Sequence, residues 1–254
     1  MAEKYCDLGF NKAETDKETG NTLQVSNLVS KWTGKKANFL GDSITYGHGL
    51  ADPSTEAFPM LLKNLLGLSV VRNYGISGTK IAKISKDDKM AMSVRYADMD
   101  DDADLVIVMG GTNDYGHHRD RGSLTAPFGQ FSDRTAETFY GALHVLFGGL
   151  ISKYPIKTIV IVTPLPRTYV MNNTTQDDRT VNPDTSKNML DYVNAIREVA
   201  EYYSLPVLDL YKNYGITPLI EESRIRYMPD CLHPNAEGHK VIANKLANFL
   251  NNNV

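Results

Sequence analysis

Short apolar runs alternate with amphipathic stretches along the sequence from residue 37 to its end. Runs rich in β-branched and other apolar residues, typical of strands, occupy residues 37–41, 70–74, 104–109, 158–162 and 207–210. Helical periodicity is found near residues 56–67, 88–97, 134–152, 185–203 and 235–251. Strands that alternate with helices pair in parallel through right-handed crossovers. The pattern therefore predicts an α/β fold with helices packed about a parallel sheet.

Two of the strand segments, 105–109 and 159–162, are apolar at every position, which is typical of strands covered on both faces. A chain of 254 residues, 42% of them hydrophobic, can bury a large core, and about 250 residues is a common length for one α/β domain. We predict one domain over residues 34–254. Residues 1–33 are polar with weak periodicity, so we expect an N-terminal extension or a linker.

The composition argues against several classes of function. A formal charge of −3 without a basic stripe makes nucleic acid an unexpected partner. Two cysteines, Cys6 and Cys231, give neither a disulfide framework nor a CxxC pair for zinc. No apolar signal segment opens the sequence, and no run is long enough for a membrane span. We expect a soluble chain, either cytoplasmic or a module of a larger surface or phage protein.

Three motifs rich in glycine and polar residues follow the first three predicted strands. They are Gly41-Asp42-Ser43, Asn73-Tyr74-Gly75-Ile76-Ser77-Gly78 and Gly111-Thr112-Asn113-Asp114. Because the carboxyl ends of parallel strands lie at one edge of a sheet, where open α/β sheets bind ligands, the motifs are expected to meet there. A fourth motif, Asp230-Cys231-Leu232-His233-Pro234, precedes the last predicted helix and could return to the same edge.

The residue types in these motifs are those that acyl transfer through a serine requires. Ser43 is the candidate nucleophile and His233 the candidate base that accepts its proton. Asp230, three residues before His233, could orient the imidazole if the chain turns between them. The backbone N–H groups of Ser43 and Gly78 and the side-chain amide of Asn113 are candidate donors to an oxyanion.

Each motif alone also has an ordinary structural explanation. Ser43 follows a strand and could cap a helix, and Asp230 and His233 could lie in a surface loop. Gly75 and Gly78 could be turn glycines, and Asn113-Asp114 could cap the following helix. We assign the structural role to Asp114.

The remaining candidates for chemistry are weaker. Cys231 lies between Asp230 and His233 and would have to turn away from that histidine, so we interpret it as a packing residue rather than a nucleophile. His117 and His118 lack an HExxH motif or a carboxylate cluster, which favours a solvated loop over residues 115–133 and no metal. No phosphate-loop or dinucleotide motif is present, so no cofactor is expected. A second polar loop, 166–184, is expected to line or cover the site.

Taken together, Ser43, Gly78, Asn113 and His233 resemble the residues that give the SGNH hydrolases, or GDSL esterases and lipases, their name. The resemblance extends from about residue 36 to residue 251. It implies a three-layer α/β/α sandwich with a flavodoxin-like parallel sheet. It also implies a Ser43-His233-Asp230 triad and an oxyanion hole formed by Ser43, Gly78 and Asn113.

The resemblance predicts the type of bond more firmly than the substrate. Two polar loops, and the lack of a long apolar helical hairpin, favour a serine esterase acting on short acyl groups, above all acetyl, of a small molecule or glycan. A lysophospholipase or thioesterase for longer acyl chains is the alternative within the same chemistry. A carbohydrate-binding or structural module without activity is the alternative of another class, and a missing catalytic residue would be its signature. The sequence leaves the oligomeric state open.

Overall fold

The computed structural model describes residues 30–116, 125–171 and 174–254, without the side chains of residues 169–176. Residues Lys31–Val254 form a compact unit. Its strands are β1 (Lys36–Gly41), β2 (Val70–Gly75), β3 (Leu105–Met109), β4 (Thr158–Val162), β5 (Thr168–Met171), β6 (Thr174–Asp177) and β7 (Val207–Leu208).

The helices include five short ones at the ends of strands and in loops. In chain order the helices are α1 (Ser43–Tyr46), α2 (Pro53–Glu56), α3 (Phe58–Leu66), α4 (Met92–Arg95), α5 (Thr112–Gly116), α6 (Phe139–Lys153), α7 (Met189–Tyr202), α8 (Leu210–Asn213), α9 (Glu221–Tyr227) and α10 (Ala236–Asn253). A single 3₁₀ turn, Tyr96–Asp98, follows α4.

The main sheet is parallel, with the strand order β2-β1-β3-β4-β7. The order turns back at β1, so the loops after β1 and β3 diverge and leave a crevice at the carboxyl edge. This is the flavodoxin-like arrangement, and the predicted three-layer α/β fold is confirmed. The predicted strand boundaries agree with the observed ones to within one or two residues.

Hydrophobic cores lie on both faces of the sheet, because successive side chains of a strand point to opposite sides. Leu40, Val106 and Ile161 pack on one face against α4, α6 and α7. Phe39 and Ile107 pack on the other face against α3 and α10. All five residues of β3 are buried, as their apolar sequence predicts. The rigid sheet between two cores holds the strand ends, and the motifs that follow them, in place.

Trp32 joins this domain to the residues before β1. Its side chain is 7% exposed within the core formed with α3 and α10, and its Nε1 donates a hydrogen bond to the Leu250 carbonyl at 3.1 Å. Residues 1–29 lie outside the described part of the chain. The expectation of an extension or linker over residues 1–33 therefore stays a prediction for those residues.

Two segments differ from the expected secondary structure. The helix predicted over residues 88–97 is reduced to α4 and its 3₁₀ turn, because the Asp88 carboxylate accepts the N–H groups of Met90 and Ala91 and stabilises a loop. The predicted polar loop 166–184 contains the antiparallel hairpin β5–β6. In the other polar segment, residues 117–124, with His117 and His118, lie outside the described residues.

Candidate active site

The turn from β1 into α1 places Ser43 at the carboxyl edge of the sheet. The Asp42 side chain caps α1 by accepting the Ile44 N–H at 3.0 Å, which makes Ser43 the first helical residue. The turn needs glycine at position 41, since a Cβ there would lie 2.0 Å from Thr45 Oγ1 and 2.7 Å from the Met109 carbonyl oxygen. The cap is therefore Asp42 and not Ser43, which is 5% exposed and leaves its hydroxyl available for other contacts.

Ser43, His233 and Asp230 form a continuous chain of hydrogen bonds. Ser43 Oγ lies 2.9 Å from His233 Nε2, and His233 Nδ1 lies 2.6 Å from Asp230 Oδ2. Because Nδ1 faces a carboxylate, we assign the ring proton to Nδ1. The lone pair of Nε2 then faces Ser43, whose hydroxyl donates to it. The structure thus brings together the three side chains that the sequence nominated, although their catalytic roles stay a prediction.

The loop that carries His233 is shaped by Asp230. Its Oδ1 accepts the backbone N–H groups of Leu232 at 3.0 Å and His233 at 2.6 Å, which closes the turn that returns the imidazole to its own carboxylate. The Asp230 side chain is 52% exposed, and its partial burial would raise its pKa, but hydrogen bonds from the His233 ring and from these two N–H groups outweigh this effect and lower that pKa to about 2. Asp230 is therefore ionised at neutral pH, opposite the imidazole.

Gly78 follows β2 and Asn113 follows β3, so these two candidate oxyanion donors lie at the same edge of the sheet as Ser43. Gly78 has φ +78°, and a Cβ built on it would meet no atom within 4 Å, so this position faces open space. Asn113, in α5, is 6% exposed and donates from Nδ2 to the Thr79 carbonyl at 3.0 Å. This hydrogen bond joins the loop after β2 to the helix after β3.

Asp114 stabilises the loop that contains Gly78 and Thr79. It is 2% exposed, and its carboxylate accepts the N–H groups of Ile81 at 2.9 Å and Ala82 at 3.0 Å. Burial raises the pKa of Asp114 to about 6. The predicted structural role agrees with these contacts, but the side chain stabilises the neighbouring loop over residues 76–82 (the oxyanion loop) in addition to any effect on its own helix.

Sequence reasoning did not find two further residues at this edge. Arg95 is 8% exposed and donates hydrogen bonds to the Gly41 and Tyr74 carbonyls and to Thr79 Oγ1. The ring of His48 lies with its centroid 4.6 Å from that of His233, tilted by 53°. Neither belongs to a recognisable motif, and the contacts of Arg95 join residues far apart in sequence.

Cys231 is buried, with 4% exposure, in the turn between Asp230 and His233. Its φ of +71° is unusual for a residue other than glycine. The Cys231 N–H donates to the Met228 carbonyl at 2.9 Å, and its carbonyl accepts the Thr168 N–H at 3.0 Å. These contacts agree with an interpretation of Cys231 as a structural residue of the turn.

Across 30–116, 125–171 and 174–254, no group of three or more histidine, cysteine, aspartate or glutamate side chains is arranged to hold a metal ion. Over the same ranges, none of the helices combines the length and apolarity needed to cross a bilayer.

Several solved structures share this fold. A protein from Lactobacillus plantarum is 35% identical, with a TM-score of 0.72, over 87% of this chain and 99% of its own. A possible lipase from Chitinophaga pinensis is 21% identical, with a TM-score of 0.61, over 84% of this chain and 96% of its own. A mutant of an acetyl-xylooligosaccharide esterase from Geobacillus is 22% identical, with a TM-score of 0.54, over 86% of this chain and 94% of its own. No curated protein sequence matches the chain.

A family model matches residues 39–241, a range that includes Ser43, Gly78, Asn113 and His233. The match covers most of the domain, and it agrees with the resemblance that these residues indicated. The family's description supports a hydrolase. The chain belongs to the GDSL-like lipase/acylhydrolase family.

Proposed function

We propose that the protein is a serine esterase that hydrolyses short acyl esters, with an acetylated carbohydrate as the favoured substrate. The observation that carries this proposal is the hydrogen-bonded chain from Ser43 Oγ to His233 Nε2, 2.9 Å, and from His233 Nδ1 to Asp230 Oδ2, 2.6 Å. This order of hydroxyl, imidazole and carboxylate is what activation of a serine requires.

In the acylation step, Ser43 Oγ attacks the ester carbonyl carbon while His233 Nε2 takes the hydroxyl proton. The resulting imidazolium is stabilised by the ionised Asp230, whose pKa is lowered to about 2 by its hydrogen bonds despite burial. When the tetrahedral intermediate collapses, the bond to the alcohol oxygen breaks and His233 gives that oxygen its proton. Ser43 is left acylated, and the alcohol leaves.

Deacylation repeats these steps with water. His233 Nε2 accepts a proton from water, the oxygen attacks the acyl carbon, and the proton returns to Ser43 Oγ as the carboxylic acid leaves. In both steps the carbonyl oxygen becomes negatively charged. The N–H groups of Ser43 and Gly78 and the amide of Asn113 would donate to it, with Gly78 allowing close approach because it lacks a Cβ.

Polar groups near the site favour a hydrophilic alcohol. A cleft at the carboxyl ends of β4 and β7 is lined mainly by charged and hydroxyl-bearing residues, namely Arg167, Asp177, Asp178, Arg179, Tyr211 and Thr217, together with Pro166 and Leu219. Arg167 links this cleft to α5, because it donates to the Thr112 carbonyl at 3.1 Å, and Thr112 directly precedes Asn113. A sugar whose acetyl group lies at Ser43 could extend its hydroxyl groups along this edge.

The fold itself does not choose between acyl groups, since both a possible lipase and an acetyl-xylooligosaccharide esterase share it at 21% and 22% identity. The preferred acyl group can be determined by measuring hydrolysis of a series of aryl esters of increasing acyl length, together with acetylated sugars. We expect acetate to be hydrolysed fastest, with rates falling steeply beyond butyrate. A maximum at octanoate or palmitate would instead favour a lysophospholipase or thioesterase.

Ser43→Ala is the control for every substrate in that series. We expect this variant to lose hydrolysis and to lose covalent labelling by a fluorophosphonate, which reacts with activated serines. Full activity of Ser43→Ala would end the esterase proposal. Glycan binding by the wild-type protein, without turnover of any ester, would favour a non-catalytic carbohydrate-binding module.

A further inference from the structure

The guanidinium of Arg95 lies buried among oxygen atoms at the carboxyl edge of the sheet. One terminal nitrogen donates to the Gly41 carbonyl and, at 3.0 Å, to Thr79 Oγ1. The other donates to the Tyr74 carbonyl, and Nε donates to the Met90 carbonyl at 3.0 Å. The side chain thereby joins the end of β1, the end of β2 and the oxyanion loop.

These acceptors are close in sequence to the proposed oxyanion donors. Gly41 lies two residues before Ser43, and Thr79 directly follows Gly78. The carbonyl of Thr79 accepts the hydrogen bond from the Asn113 amide. A shift of the guanidinium would therefore displace the segments that carry the three proposed donors, the N–H groups of Ser43 and Gly78 and the amide of Asn113.

The choice of arginine here is physically informative, because a buried cation is unfavourable unless it is well paired. Arginine has five donors in a rigid planar fork, which can reach several oxygens in diverging directions, whereas lysine offers a single ammonium group. The carboxylate of Asp42 supplies an opposite charge nearby, and Asp42 also caps α1. The buried charge of Arg95 is therefore explained by the several hydrogen bonds that its side chain makes, which an apolar residue could not make.

We propose that Arg95 is a positioning residue that sets the orientation of the Gly78 N–H relative to Ser43 and so completes the oxyanion hole. This inference rests on the proposed esterase function. Because a developing oxyanion needs its donors more than a neutral ester does, loss of Arg95 lowers kcat and leaves KM nearly unchanged.

The kinetic test uses Arg95→Met and Arg95→Lys on an aryl acetate, with Arg72→Met as the matched control. Arg72 lies in β2, and it pairs with Asp100 and Asp102, which precede β3 at the amino edge of the sheet, whereas the oxyanion loop follows β2 at the carboxyl edge. We expect both Arg95 variants to lose roughly 10²–10³-fold in kcat, the effect typical of a lost oxyanion donor, with little change in KM. Binding of a boronic acid, a mimic of the tetrahedral intermediate, should weaken by a similar factor.

A second variant keeps the test decisive if the Arg95 variants fold poorly. Thr79→Val retains the guanidinium but removes its hydroxyl acceptor, so we expect a smaller loss of kcat of the same kind. Unchanged kcat in Arg95→Met, in Arg95→Lys or in a folded Thr79→Val protein would overturn the inference. So would a loss seen equally in Arg72→Met.

Amide hydrogen exchange separates failure of this inference from failure of the esterase proposal, since it needs no turnover. We expect faster exchange over residues 76–82 in Arg95→Met than in the wild type or in Arg72→Met. Unchanged exchange there would overturn the positioning role whether or not the protein hydrolyses esters. The esterase proposal is judged separately, by comparing the wild type with Ser43→Ala.

Discussion

Two aspartates at the candidate site differ in pKa because their surroundings differ. Burial dominates at Asp42, where it raises the pKa to about 6. Hydrogen bonds outweigh burial at Asp230, where they lower the pKa to about 2. Asp42 therefore serves as a capping group whose ionisation is unfavourable, whereas Asp230 serves as a stable anion opposite His233.

Replacing Asp42 by asparagine tests the first of these environments. Between about pH 4 and pH 6 the folded protein keeps a proton on Asp42 that the unfolded chain loses, so this group makes stability fall as pH rises. An asparagine oxygen can still cap α1 but carries no charge. We expect Asp42→Asn to be more stable relative to the wild type at pH 8 than at pH 4, by ~1–3 kcal/mol at ~1.4 kcal/mol per pKa unit.

Urea denaturation at the two pH values measures this difference directly. Comparison with the wild type cancels the groups common to both proteins, such as His239, whose pKa burial lowers to about 4. An identical pH dependence of the two free energies of unfolding would show that Asp42 ionises as easily in the folded protein as in the unfolded chain.

The side chain of Asn113 is the proposed donor that can be removed by substitution. We expect Asn113→Ala to lower kcat by roughly 10²–10³-fold, since one oxyanion donor contributes ~3 kcal/mol to the transition state. Asn38→Ala is the matched control, because Asn38 in β1 is also a buried asparagine but donates to the Asp100 carbonyl at 2.8 Å. Steady-state kinetics should show a large kcat defect in the first variant only; equal defects would indicate a general loss of structure.

Among single residues, only the side chains that belong to motifs could be identified from the sequence. Ser43, Asp230 and His233 were nominated because their chemistry is specific. Arg95 and His48 carried no such signal. Apart from Met90, the residues to which Arg95 donates lie 16 to 54 positions away, which no local pattern encodes.

Among the secondary-structure elements, strands were easier to predict than helices. The strands β3 and β4 are buried along nearly their whole length, so their apolar sequences mark them clearly. The segment at residues 88–97 has helical periodicity, but the hydrogen bonds of Asp88 shorten the helix to α4. The β5–β6 hairpin was missed because each strand has only four residues and β6, Thr-Thr-Gln-Asp, is entirely polar.

Two adjacent glycines in α6 offer a matched test of helix packing. A Cβ at Gly148 would lie 3.4 Å from the Tyr203 hydroxyl, an ordinary contact, so Gly148→Ala should gain ~0.4–1 kcal/mol by restricting the unfolded chain. A Cβ at Gly149 would lie 2.3 Å from Tyr96 Cζ, so Gly149→Ala should lose ~1–3 kcal/mol through overpacking. Thermal unfolding distinguishes the two. Equal effects of the two substitutions would be inconsistent with this packing.

Gly75 controls how closely β2 approaches the turn that carries Ser43. A Cβ at this position would lie 2.2 Å from the backbone nitrogen of Tyr46 and 2.7 Å from the Thr45 carbonyl carbon. Because backbone atoms cannot move aside as a side chain can, Gly75→Ala should displace α1. We expect a loss of ~1–3 kcal/mol in urea denaturation, together with reduced kcat. Wild-type stability and activity would show that this close approach is unnecessary.

For the whole molecule, the sheet separates two cores that should contribute independently to stability. Leu146 is fully buried on the α6 and α7 side, and Leu246 is fully buried on the α3 and α10 side. We expect each leucine-to-alanine substitution to cost ~2–5 kcal/mol. In the double variant the costs should add to within about 0.5 kcal/mol, since the side chains share no partners. A larger coupling in urea denaturation would mean that the sheet transmits strain between its faces.

The layered fold followed from the sequence because the strand and helix periodicities agree over the whole domain. The order of the motifs indicates only that they lie at one edge of the sheet. That Ser43 meets His233 there was expected because a serine and a histidine act together in acyl transfer. The choice of acyl group could not be predicted in the same way. It depends on the shape of loops, which periodicity does not determine.

The proposed catalytic site is tested most directly by a crystal structure of the protein after reaction with an organophosphate, whose phosphorus mimics the tetrahedral carbon. We predict a covalent bond from Ser43 Oγ to phosphorus, with the phosphoryl oxygen about 3 Å from the backbone nitrogens of Ser43 and Gly78 and from Asn113 Nδ2. His233 should remain hydrogen-bonded to Asp230. An adduct on another residue would contradict the role of Ser43 as the nucleophile. A phosphoryl oxygen directed away from Gly78 and Asn113 would contradict the proposed oxyanion hole.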